Sequence, residues 1–98
     1  MGTVNLNNKT NFSVFSKCVW LNLREKRLFI INDLIKSEQV INLTKRKVID
    51  LLGFEFNDMH CNVWTYYLGR RYPVVFSKKK YLYIYFNEEE KAFKLIIK

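Results

Sequence analysis

From Lys80 to Phe86 the chain alternates without a break, with Tyr81, Tyr83 and Tyr85 at one phase and Leu82, Ile84 and Phe86 at the other. Successive side chains of a strand point to opposite faces, so this period of two specifies a β-strand with one apolar face and one tyrosine face. Asn87-Glu88-Glu89-Glu90 turns the chain, and Lys91 to Ile97 returns with Phe93, Leu95 and Ile97 opposed to Lys94, Ile96 and Lys98. Pairing the two apolar sets makes them the core face and leaves the tyrosines and lysines together on the other.

Upstream, Asn62 to Leu68 alternates in the same way, Trp64, Tyr66 and Leu68 against Val63, Thr65 and Tyr67, and Gly69-Arg70-Arg71 closes the strand. Tyr72 to Phe76, which contains Pro73, is a candidate edge strand, and Ser77-Lys78-Lys79-Lys80 reads as a solvated turn. Earlier still the period changes. Leu28, Ile31, Leu34 and Ile35 recur at helical spacing, with Lys26, Arg27, Asp33 and Lys36 largely elsewhere around the axis. That predicts a helix of about four turns from Arg24 to near Ser37 or Glu38. Thr44 is a good N-cap for a second, shorter helix that buries Val48, Leu51 and Leu52, and Gly53 supplies a left-handed C-cap. Phe12, Val14, Phe15, Val19 and Trp20 form an apolar lead-in, and Trp20 and Trp64 belong to the core or its edge. The order predicts an α+β fold: two N-terminal helices packed on one face of a three- to four-stranded antiparallel sheet, the other face uncovered.

With 98 residues and 49% hydrophobic content, the chain is expected to form a single domain over residues 14–98, preceded by a flexible polar arm at 1–13. A formal charge of +8 favours acidic partners, whether nucleic acid, an anionic membrane surface or an acidic protein. No apolar run is long enough for a transmembrane segment, and no secretory h-region opens the sequence. The protein is expected in the cytoplasm if the chain is complete, and in the cell envelope or periplasm if a leader has been removed.

Little in the sequence assembles chemistry. Cys18, Cys61 and the single histidine, His60, lack metal-finger spacing, and neither a metal nor another cofactor is expected. A disulfide between Cys18 and Cys61 stays open in an oxidising compartment. His60 and Cys61 are adjacent, and neighbouring side chains in extended chain diverge, which disfavours a nucleophile–base pair. Asp50, Glu55 and Asp58 cluster in sequence, but paired-carboxylate catalysis needs two of them facing one cleft, and Asp50 reads as a solubilising residue. The expectation is a protein without enzyme activity.

Several segments together resemble a known class. Phe15, Trp20, Arg27, Asn32-Asp33-Leu34-Ile35, Thr44 to Gly53, Trp64 to Gly69 and Tyr81 to Asn87 are similar to small bacterial proteins of the SmpA/OmlA (BamE-like) class, which shares the architecture of the β-lactamase-inhibitor-protein fold. The likeness runs over roughly residues 15–97 and rests on short hydrophobic motifs. It implies a helix pair on an antiparallel sheet, used as an adaptor or inhibitor module and often exported as a lipoprotein, with no enzyme activity. The chain departs from the class where Lys45-Arg46-Lys47 follow the capping Thr44, since the helix macrodipole disfavours cations there, and this points to an anionic contact. It departs again at Phe54-Glu55-Phe56, which replaces a usual proline, and in having no lipid-bearing cysteine near the start.

The tyrosine stripe has an undemanding explanation, because tyrosine suits half-exposed strands. The sharper expectation is a partner-binding face centred on Tyr67, Tyr81, Tyr83, Tyr85 and Lys94, with Arg70 and Arg71 at its rim, that docks another protein. The alternative is a nucleic-acid platform, stacking bases on the tyrosines and holding phosphates with Arg70, Arg71, Lys78, Lys79, Lys80 and Lys94. Partner identity and oligomeric state are left open by the sequence.

Overall fold

The computed structural model describes residues 14–70 and 78–98, and among them three α-helices are followed by a three-stranded antiparallel sheet. The elements are α1 (Lys17–Asn22), a 3-10 turn (Arg24–Lys26), α2 (Arg27–Lys36), α3 (Lys45–Leu52), β1 (Val63–Arg70), β2 (Lys79–Phe86) and β3 (Ala92–Ile97), with strand order β1-β2-β3. The arm expected at 1–13, Phe12 of the lead-in, Arg71 and the candidate edge strand Tyr72 to Phe76 lie outside the described residues. Among the described residues no helix is long and apolar enough to cross a membrane.

Part of the apolar lead-in is a helix in its own right. The Ser16 side chain accepts from the Val19 amide at 3.3 Å and caps α1, which is too short for helical periodicity to show in the sequence. Leu23, at φ −126 and ψ 73, interrupts the chain before Arg24, so the helix expected to start there begins instead as a 3-10 turn and becomes α-helical at Arg27. Helix α3 is capped as expected, the Thr44 hydroxyl accepting from the Lys47 amide. Gly53 after it has φ 83 and ψ 176, an extended conformation restricted essentially to glycine rather than the left-handed helical cap. A Cβ there would also lie only 3.2 Å from Leu21 Cδ2 of α1.

A hydrophobic cluster joins the helices to one face of the sheet. Trp20, Ile31, Leu34, Val48 and Leu52 are buried with Trp64, Tyr66, Leu68, Leu82, Ile84 and Phe86. Indole Nε1 of Trp20 donates to the Leu52 carbonyl at 3.1 Å, and the Tyr66 hydroxyl donates to the Gly53 carbonyl at 2.7 Å, so the large amphipathic rings satisfy their polar ends inside. Burial, and after it the charge of Glu55, raises the Tyr66 hydroxyl well above the usual phenol range.

Two further expectations change. Phe93 does not face the core: Tyr85 pairs with Lys94 but Phe86 pairs with Ala92, so a bulge leaves Phe93 half exposed and puts the wholly buried Ala92 in its place. Asn42 and Leu43 run beside that point, with Asn42 N donating to Ala92 O at 2.7 Å and Ala92 N to Leu43 O at 2.9 Å. Arg27 is buried rather than outward, and Lys45 is buried as well. The Lys45 ammonium donates to the Met59 carbonyl at 2.6 Å and Asn62 Oδ1 at 3.2 Å and lies 3.6 Å from a Glu90 oxygen. Those acceptors offset the unfavourable dipole at the start of α3, and of the cationic run only Arg46 and Lys47 remain exposed.

Candidate binding face

The strand register sets every other residue of β1 and β2 away from the helices. Val63 pairs with Tyr85, Thr65 with Tyr83 and Tyr67 with Tyr81, while Tyr83 and Tyr85 pair on their other side with Ile96 and Lys94. Directly paired residues share a face, and Tyr67, Tyr81, Tyr83 and Tyr85 are each partly exposed on it. Their opposite neighbours Trp64, Tyr66, Leu82 and Ile84 are fully buried. Rigid packing beneath therefore holds the tyrosine rings from behind.

Cations lie over these rings. The Lys94 ammonium is 5.4 Å from the Tyr85 ring centre, the Lys98 ammonium 4.9 Å from that of Tyr83, and the Arg24 guanidinium 5.1 Å from that of Tyr67. Tyr67 and Tyr81 meet edge to face with centres 5.8 Å apart. The face is thus a layer of ring and cation pairs, each attraction arising from the negative face of the ring quadrupole. The strands bring together Tyr67, Tyr81, Tyr83, Tyr85 and Lys94 as the sequence pattern predicts.

Arg70 joins the same face through a bulge. Between Tyr67 and Gly69 the pairing slips, so that Gly69 opposes Lys80 and Arg70 opposes Lys79. Without the slip Arg70 would share the phase of Tyr66 and Leu68. Gly69 has φ 106, a backbone state that side chains rarely adopt, and this residue permits the slip. The expected phosphate-binding lysines divide: Lys79 belongs to the tyrosine face, Lys80 takes the phase of Leu82, and Lys78 is exposed just ahead of β2. Arg71 is not among the described residues.

At one side of the face is a recess of about 360 Å³ lined by Arg24, Glu55, Thr65, Tyr67, Lys79 and Tyr81. Arg24 and Glu55 are members of the site that strand periodicity does not reveal, since both come from segments remote from the strands. Glu55 is held tightly: one carboxylate oxygen accepts from Arg27 Nη1 at 2.8 Å, the other from the Tyr67 amide at 2.7 Å, with Arg24 Nη2 at 3.5 Å. Both oxygens of this carboxylate are thus engaged as acceptors, and Arg24 and Lys79 are the cations that line the recess. The backbone beside it is strained, with φ 51 at Glu55 and φ 61 at Phe56, and the Phe56 side chain is fully exposed.

The other chemistry-bearing residues are dispersed. Asp50 is exposed on α3, and Asp58 Oδ1 accepts from the His60 amide at 2.8 Å, so Asp50, Glu55 and Asp58 do not form a carboxylate pair. His60 and Cys61 lie exposed in the turn before β1 rather than in a strand, and Cys18 and Cys61 are both free thiols. Among the described residues no group of three or more His, Cys, Asp or Glu side chains is placed to hold a metal ion. Comparison of the chain with protein-family models, with curated proteins and with solved structures returned no match.

Proposed function

We propose that the protein is a non-catalytic adaptor or inhibitor-like module that docks another protein on its tyrosine and lysine face. The observation that carries this reading is the set of ring and cation pairs on strands backed by fully buried side chains. Large rings already fixed in place lose little rotamer freedom on binding, and tyrosine and arginine are the residues that dominate protein interfaces. The resemblance to the SmpA/OmlA (BamE-like) class and the inhibitor-protein architecture supports it, because the uncovered sheet face of that architecture is where a partner docks. Nucleic acid is the less favoured ligand, since bases stacking on Tyr67, Tyr83 and Tyr85 would compete with the cations that now occupy those rings.

The test is capture of the partner, its purification, and measurement of Kd with wild type and with the Tyr83→Ala/Tyr85→Ala variant. Both side chains are only partly buried on the face away from the core, so the variant is expected to fold and to bind at least about thirtyfold more weakly, the scale of an interface hot spot. Unchanged affinity in a folded variant contradicts the reading. Capture that disappears with nuclease, with affinity falling steeply in salt through counterion release, identifies nucleic acid instead.

A further inference from the structure

The two edges of the sheet are treated differently. On β1, the alternation turns the main-chain groups of Thr65 and Tyr67 outward, and side chains satisfy all four. Asn57 Nδ2 donates to Thr65 O at 3.0 Å while Asn57 Oδ1 accepts from Thr65 N at 3.0 Å. Glu55 accepts from Tyr67 N at 2.7 Å and Arg27 donates to Tyr67 O at 2.9 Å. Over Thr65 and Tyr67 this edge is closed to another strand.

On β3, Ala92 is occupied by Asn42 and Leu43, but the strand beyond it is not. Lys98 N donates to Tyr81 O, and Lys94 and Ile96 pair with Tyr85 and Tyr83, so the alternation turns the amides and carbonyls of Leu95 and Ile97 away from β2. Among the described residues no donor or acceptor meets them. Unpaired strand edges are the template for strand addition. Along this stretch Lys94, Ile96 and Lys98 share the phase of the tyrosine face, and Leu95 and Ile97 share that of the core. The edge therefore offers cations on one side and an apolar row on the other.

We infer that the β3 edge from Lys94 to Lys98 accepts an extended segment of another protein in which acidic and apolar residues alternate. In that pairing the acidic side chains lie beside Lys94 and Lys98 and the apolar ones continue the row of Leu95 and Ile97. A second copy of this chain fits less well, because antiparallel pairing of Leu95 with Ile97 about Ile96 sets Lys94 against Lys98 twice, and like charges directly across a ladder are destabilising. The edge shares Lys94 and Lys98 with the ring surface proposed above, but the main-chain groups of Leu95 and Ile97 on which strand addition rests are separate from it.

The probe is a short synthetic peptide alternating valine and glutamate, titrated in the millimolar range against the full chain and read by chemical-shift changes of the Leu95 and Ile97 amides. Two isomers isolate the backbone: one N-methylated at the valines, the other at the glutamates. Strand addition predicts that one isomer alone loses binding, by about tenfold or more. That isomer is the valine-methylated peptide if the added strand is antiparallel and the glutamate-methylated one if it is parallel. The Lys94→Glu/Lys98→Glu variant is expected to reverse the preference toward a valine and lysine peptide. No binding of the parent peptide, equal binding of both isomers, or assembly of the protein alone into a β3-paired dimer overturns the inference. The Tyr83→Ala/Tyr85→Ala variant read against a purified partner separates a failure here from a failure of the ring surface.

Discussion

Replacing Arg27 by alanine is expected to destabilise the protein by about 3–5 kcal/mol, the cost of removing one partner of a buried ion pair. Arg27 is 2% exposed, and its guanidinium serves three groups at once. Nε donates to Trp20 O at 2.9 Å, Nη1 donates to Glu55 and to Tyr67 O, and the plane lies 4.3 Å from the Trp20 ring centre. Alanine would strand the Trp20 carbonyl inside, free the Tyr67 carbonyl at the β1 edge and leave Glu55 with Arg24 as its remaining cation. For a domain of this size the melting temperature should fall by the order of 20 °C. Arg27→Lys should recover little, because one ammonium cannot reproduce the planar fork and the stacking together. Replacing Arg27 and Glu55 together by methionine should cost less than Arg27→Ala alone, since no unpaired charge is then left behind. Thermal melts of wild type and these variants check this, and an Arg27→Ala protein that melts like wild type would mean that the pair does not hold α2 to β1.

The second large effect is expected at Trp64. Its side chain is fully buried, 4.9 Å from the Phe86 ring centre and 5.6 Å from that of Phe54, and its Nε1 donates to Asp58 O at 2.8 Å and Cys61 O at 3.1 Å. Trp64→Ala should lose about 3–5 kcal/mol through the cavity and the lost transfer energy. Trp64→Phe keeps much of the packing but removes the only donor that the ring offers to those two carbonyls, for a loss of about 1–3 kcal/mol. Denaturant unfolding of the two variants separates the terms. A Trp64→Ala protein of unchanged midpoint would place this residue on the outer face and invert the assignment of both strand faces.

These two residues show which parts of the fold the sequence makes legible. Trp64 can be placed because the period of two in β1 states its face directly, and the same holds for Tyr81, Tyr83 and Tyr85. Arg27 cannot, because its partners are the carbonyls of Trp20 and Tyr67 and the carboxylate of Glu55, which only the tertiary fold gathers. The partners of Lys45 are hidden for the same reason: its place after an N-cap points to an anionic contact, but the Met59 carbonyl and Asn62 are gathered to it only by the tertiary fold. Bulges hide equally well. Phe93 keeps the apolar alternation with Leu95 and Ile97, yet the slip between Tyr85 and Phe86 hands its core position to Ala92. At Arg70 the slip works in the opposite sense and adds a cation to the tyrosine face, with Gly69 as its single sequence signal.

The ring surface itself is visible in the pattern, whereas its fixation by Arg24 and the recess beside Tyr67 are not. Arg24 lies at the start of an expected helix, where nothing local distinguishes it from a solvated residue.

The most direct measurement is hydroxyl-radical footprinting of the protein alone and in complex with its purified partner. Protection is predicted at Tyr81, Tyr83 and Tyr85, with Phe29, a 64% exposed residue of α2, reacting equally in both states. Protection of Phe29 with the three tyrosines unchanged would contradict the account, because the partner would then sit on the helices and not on the open face of the sheet.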